Sequence, residues 1–142
     1  MGTRADFYVG RGELAEWIGS IAWDGYPEGI KPTVLNALYE QRFRDAVKDF
    51  LAEQEDNGST APEMGWPWPW TDSRTTDYSY AFDNGKVWAS CFGHAWFDPS
   101  KQMTDDDVEE NEKSPKVDFP NMKEKQKVTY GPRSGLLFIV KA

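Results

Sequence analysis

A chain of 142 residues with a formal net charge of −8 is long enough to bury a core, but too acidic to bind nucleic acid by neutralising phosphates, which needs a clustered basic surface. Its single cysteine, Cys91, excludes an internal disulfide and any CxxC metal site. No apolar run reaches the length of a membrane span, no basic-then-apolar leader opens the chain, and aromatic residues including seven Trp make up 15% of it, so the expectation is one domain with an aromatic core and a cytoplasmic location.

Ala5 to Arg11 alternates Ala5, Phe7 and Val9 with Asp6, Tyr8 and Gly10, which is strand periodicity. Gly10-Arg11-Gly12-Glu13 is turn chemistry, and Glu16 to Trp23 is the return strand, with Trp17, Ile21 and Trp23 at period-two positions on one apolar face. Asp24-Gly25 stops that strand and Tyr26-Pro27 restricts the backbone to a turn. From Pro32, suited to a first helical position, Leu35, Tyr39, Phe43, Ala46, Val47 and Phe50 form a stripe that predicts one helix over Pro32–Glu53. Asp56-Asn57-Gly58-Ser59 ends it.

A Pro- and Trp-rich loop is expected over 60–76, where Trp66, Trp68 and Trp70 alternate with prolines that forbid a helix or a central strand. The clearest hairpin follows: Tyr78–Phe82, the Asp83-Asn84-Gly85 turn, then Lys86–Phe92. The 99–116 stretch is acidic and apolar-poor, a mobile loop or a short acidic helix, and Val117 to Pro120 is expected to dock back as an extended piece. Val128–Tyr130 and Gly135–Val140 predict a last pair of strands, the final one apolar on both faces and therefore central or well covered. The β-β-α-β-β-β order predicts an α+β fold, an antiparallel sheet of about five strands with one long helix on one face.

Gly2-Thr3-Arg4, then a strand, then Trp23-Asp24-Gly25-Tyr26-Pro27-Glu28 before a helix resembles a family of small uncharacterised bacteriophage and prophage proteins. The resemblance covers about the first quarter of the chain. It departs from the family pattern at Ala22, where a His is usual, and in the spacing of Gly29 from Leu35. It implies a phage setting and brings no catalytic residue with it.

The residues that carry chemistry are few. Cys91 and His94 are three apart, an odd step that places them on opposite faces of a strand, and Cys91 alternates with Val87 and Ala89 as a structural cysteine does. His94, Asp98 and the 105–110 acids lack the spaced pattern of a calcium loop, and Gly10-x-Gly12 leads into a strand rather than a helix, so neither a metal nor a phosphate is expected there. Asp24, at a strand end before a helix, either caps the helix or lines a cleft with Trp23 and Tyr26, and Glu28 has the same two readings. Trp66, Trp68 and Trp70 either plug the core or anchor a partner on a stiff loop.

The expectation is a non-enzymatic phage or prophage interaction protein that inhibits a host defence complex through an unidentified host protein. It needs no catalytic residue, cofactor or metal, and does not bind a membrane or nucleic acid directly. Partner-binding candidates are Trp23, Asp24, Tyr26, Trp66, Trp68 and Trp70, with Asp105 to Glu112 able to present carboxylates in place of nucleic acid. The alternatives are a small-molecule binder or hydrolase with a cleft near Asp24 and Tyr26, and an accessory virion component.

Overall fold

The computed structural model describes residues 3–56, 72–121, 126–130 and 137–141. Strands β1 (Ala5–Val9), β2 (Glu16–Ile21), β3 (Tyr78–Asp83) and β4 (Lys86–Cys91) form one sheet in the order β2-β1-β3-β4. Helices α1 (Pro32–Leu35) and α2 (Glu40–Asp56) precede β3, helix α3 (Asp105–Glu112) follows β4, and β5 (Gln126–Tyr130) and β6 (Leu137–Lys141) pair with each other. The class is α+β.

Both expected hairpins form, β1 with β2 and β3 with β4, each antiparallel. In the second, Asn84 at φ 55° and Gly85 at φ 79° supply the two left-handed residues that a tight turn requires. The antiparallel five-stranded sheet is corrected to a mixed four-stranded one, because β3 lies beside β1 and runs parallel to it. The connection from Ile21 to Tyr78 carries both helices and is long enough for the crossover that parallel neighbours need. Among the described residues β6 pairs in a ladder with β5, so it is not central to the four-stranded sheet. The outer edge of β4 is met by Phe97, which exchanges two 2.8 Å backbone hydrogen bonds with Ala89.

The single helix predicted from Pro32 is two. Helical geometry ends at Asn36 (φ −103°, ψ 12°), which caps α1, and resumes at Glu40. Val34 and Phe43 are nine residues apart, half a turn out of phase on one helix, yet both are fully buried in the same core. The break brings them to one side, and it leaves Leu38 and Tyr39, the latter placed on the buried stripe by its spacing, 67% and 65% exposed.

Beyond the break the stripe holds. Phe43, Val47, Phe50 and Leu51 pack on the sheet face carrying Phe7, Ile21, Tyr80, Phe82 and Val87. Phe7 stacks on Tyr80 at 5.7 Å and meets Phe50 edge-on at 6.2 Å, while Phe43 lies 5.7 Å from Phe82. Gly19 lets α2 come close, since a Cβ there would stand 2.3 Å from Leu51 Cδ1. Arg44 locks the helix to β2 with a two-pronged bond to Glu16 at 2.9 and 3.0 Å, and its Nε donates to Glu40.

The other face of the sheet is buried and polar. Register pairs Phe7 with Gly19 but Tyr8 with Trp17, so Ile18 is a bulge. The extra residue turns Trp17 away from Ile21, which corrects the single apolar face drawn through both. Ser20, Asp6, Ser79 and Ser90 form one row across all four strands, each with no exposed surface. Trp17 Nε1 donates to Ser20 Oγ at 2.9 Å, and Ser20 donates to Asp6 Oδ1 at 2.5 Å. Ser73 donates to Asp6 Oδ2 at 2.6 Å, leaving the Tyr8 hydroxyl to donate to Ser73 at 2.5 Å. Burial first, then the Asp6 carboxylate, pushes the Tyr8 phenol well above its ordinary range, so it stays a donor. Phe119 docks back onto this face, 5.6 Å from Tyr8.

Two packing predictions follow from these faces. Phe50→Ala should cost about 3–5 kcal/mol in denaturant unfolding, as for other buried aromatics. Ser73→Ala, which strips a donor from Asp6 and an acceptor from Tyr8, should cost about 1–3 kcal/mol. Ser79→Ala should be neutral or stabilising, because the buried Ser79 hydroxyl has no partner among the described residues. Equal losses for the two serine variants would refute the role given to this network.

Candidate functional site

At the strand end where a cleft is expected the chain makes a tight turn. β2 stops at Ile21, Trp23 is half-buried, and Asp24 is exposed in the left-handed region at φ 61°. The following Gly25 is pinned, donating to the Thr3 carbonyl and accepting from the Tyr80 hydroxyl at 2.6 Å. Asp24 caps no helix: the turn at Pro27–Gly29 and helix α1 start at Tyr26 and Lys31, neither with a side-chain cap. Its carboxylate meets the Tyr26 hydroxyl at a long 3.4 Å, and Tyr26 and Glu28 are exposed. Trp66, Trp68 and Trp70 lie outside the described residues.

Cys91 and His94 are not brought together as a nucleophile and base. Cys91 ends β4 across from Tyr78, and burial pushes its thiol up despite a hydrogen bond from Tyr78. The His94 imidazole turns instead to Ser114, with Nδ1 2.8 Å from a carbonyl that only accepts, so the proton is on Nδ1. Asp98, weighed as a metal ligand with His94, belongs to another group. It accepts from Lys86 Nζ at 2.7 Å and from Ser100, which lowers its carboxyl to about 2. Among the described residues no group of three or more His, Cys, Asp and Glu is placed to hold a metal ion.

The 99–116 stretch, left between loop and helix by its composition, contains the helix α3. Thr104 and Asp107 form a reciprocal capping box at its start. Six of its eight residues are Asp or Glu and none is buried, so no apolar contact accounts for its position. It is held at the other end by polar bonds. Asn111 Nδ2 donates to the Ala95 carbonyl at 2.9 Å, the Ala95 N–H donates to Ser114 Oγ, and Ser114 Oγ donates to the Asn111 carbonyl. A row of carboxylates is thereby fixed in a defined orientation on the surface.

Between α3 and β4 runs a cleft of about 510 Å³, lined by Trp88, Phe97 and Met103 on one side and by Asp107, Glu110 and Asn111 on the other. Trp88 donates Nε1 to the Asp83 carbonyl and carries two cations near its ring, Arg11 at 4.4 Å and Lys86 at 4.6 Å. Each has its own carboxylate, Asp83 for Arg11 and Asp98 for Lys86. A shallow groove of about 880 Å³ runs along α1 and α2 past Asn36, Ala37 and Arg42. Neither includes Trp23, Asp24 or Tyr26. Periodicity missed the first cleft because its walls come from three segments; the only sequence signal was the acidic run itself.

No family model, curated protein or solved structure matches the chain. Among the described residues no helix is long and apolar enough to cross a membrane.

The Asp98 contacts set a pH dependence. Its folded carboxyl titrates at about 2, below an unfolded value of about 3.9. The stabilisation is therefore complete above pH about 4 and is lost as pH falls toward about 2. Stability measured across that range should fall less steeply in Asp98→Asn than in the unmodified protein. Identical acid limbs would show that the Lys86–Asp98–Ser100 contacts contribute nothing.

Proposed function

We propose that this is a non-enzymatic interaction protein whose α3 face binds a basic surface on another protein. The observation that carries the reading is an acidic helix that buries nothing and is nevertheless capped and pinned. Carboxylates fixed before contact lose little entropy on binding and repel one another until a cationic surface neutralises them. The overall charge of −8 adds long-range attraction to the same partners. Surfaces built to hold nucleic acid are strongly basic, so a host complex that handles nucleic acid is the partner class.

The resemblance around Trp23 to Glu28 supplies the setting: a phage or prophage protein that occupies such a site and inhibits a host defence complex. The raised Cys91 thiol and the commitment of His94 to Ser114 favour binding over covalent catalysis. The Trp66, Trp68 and Trp70 loop remains in this reading as a second contact.

Capture from bacterial lysate tests it, using the unmodified protein and Asp105→Asn/Asp106→Asn/Glu112→Gln, which leaves the capping box in place. The unmodified protein should retain basic, nucleic-acid-binding proteins at about 0.05 M salt and release them by about 0.5 M, where the screening length is a few ångströms. The variant should lose them at both. The same proteins retained by both forms would remove α3 from the interaction.

A further inference from the structure

We propose that the cleft between Trp88 and α3 is a subsite for one long cationic side chain, an arginine or lysine, of the basic partner. The inference rests on the reading of α3 just given and adds where and how that partner is anchored.

The argument begins with the shape of such side chains. Lysine and arginine have an apolar stem and a charged head, so they seat best where an apolar floor leads to a carboxylate. The cleft has that gradient. Trp88, Phe97 and Met103 give it an apolar side, each only partly buried. The opposite wall is one face of α3, where Asp107, Glu110 and Asn111 lie at three- and four-residue steps, continued by Ser114 just past its end.

Most of the polar groups in the cleft are already used. Asp107 accepts from the Thr104 N–H, Asn111 donates to Ala95, and Ser114 bonds Ala95 and Asn111. Lys86 and Asp98 neutralise each other. The Glu110 carboxylate makes no ion pair or hydrogen bond among the described residues, Lys113 pairing instead with Glu109, so it faces the cleft without a direct partner. Lys101 is exposed on the cleft lining, so two lysines face three carboxylates there and one negative charge is left in excess, enough for a single added cation.

An anionic occupant is disfavoured by Glu110, and a purely apolar one would desolvate that carboxylate without compensation. The adjoining indole already shows the preference. Arg11 and Lys86 both lie within 5 Å of its ring, each paired with a carboxylate, so cation, aromatic face and acid already occur together at this end of the sheet. The incoming side chain repeats that arrangement with Glu110.

The test uses a hexa-arginine peptide as probe, titrated calorimetrically at low salt into the unmodified protein, Glu110→Gln and Glu112→Gln. The two variants remove the same charge from the same helix, but only Glu110 lines the cleft. Glu110→Gln should weaken binding by about tenfold or more, the loss of a charge-assisted contact, and Glu112→Gln by only about two- to threefold, the loss of a distant charge. In parallel, the methyl resonance of Met103, assigned through Met103→Ala, should shift when peptide is added to the unmodified protein. If the two variants weaken binding equally, or the Met103 methyl does not move, the cleft holds no side chain, although α3 still binds basic surfaces. If the peptide does not bind at all, both readings fall.

Discussion

The extra residue at Ile18 is the constraint on which the two-faced sheet depends. A bulge in β2 changes which way every earlier side chain in that strand points. Without it Trp17 would join Ile21 and Gly19 against α2, where Leu51 already fills the space. With it Trp17 reaches the opposite face and donates to Ser20, the first link in the chain of hydroxyls that ends at Asp6. A carboxylate with no exposed surface must be met by donors. Two serines from separate segments supply them, and Ser73 ties the return of the chain to the centre of the sheet. One face is therefore organised by ring packing and the other by directed hydrogen bonds.

Legibility in the sequence followed the range of the interaction. The Asn84-Gly85 turn, the β1–β2 hairpin and the Phe43–Val47–Phe50 stripe are local, and their spacing placed them. The parallel β1–β3 pairing was invisible because nothing within either strand states on which side of β1 the later one will lie. Tyr39 was placed on the buried stripe because the stripe's spacing runs through it. The break at Asn36 instead obeys Val34 and Phe43, which cannot share a face on one helix. The polar row is hidden in plain alternation: Asp6, Ser20, Ser79 and Ser90 are polar positions between apolar ones, a pattern that also fits a solvated face, and only coverage of that side makes them interior.

At the surface the same limit applied in reverse. The acidic run was obvious, but composition alone left it between a loop and a helix. The distinction came from Thr104, whose capping box with Asp107 is a four-residue signal, and from Asn111 and Ser114, whose partners at Ala95 are distant in sequence. Asp24 and Tyr26 went the other way. The turn chemistry read there is real, and it positions the Gly25 backbone bonds to Thr3 and Tyr80.

No residue of α3 is fully buried, and none belongs to the hydrophobic core cluster. Substitutions at Asp105, Asp106 and Glu112 therefore act on stability and on recognition through separate sets of residues, and effects at such distant sites add rather than couple. The interior can drift by conservative repacking without altering the charge pattern at the surface. That pattern can in turn be rewritten, one carboxylate at a time, without the chain passing through an unfolded variant. Packing in the interior and charge on α3 are thus mutationally independent in this molecule.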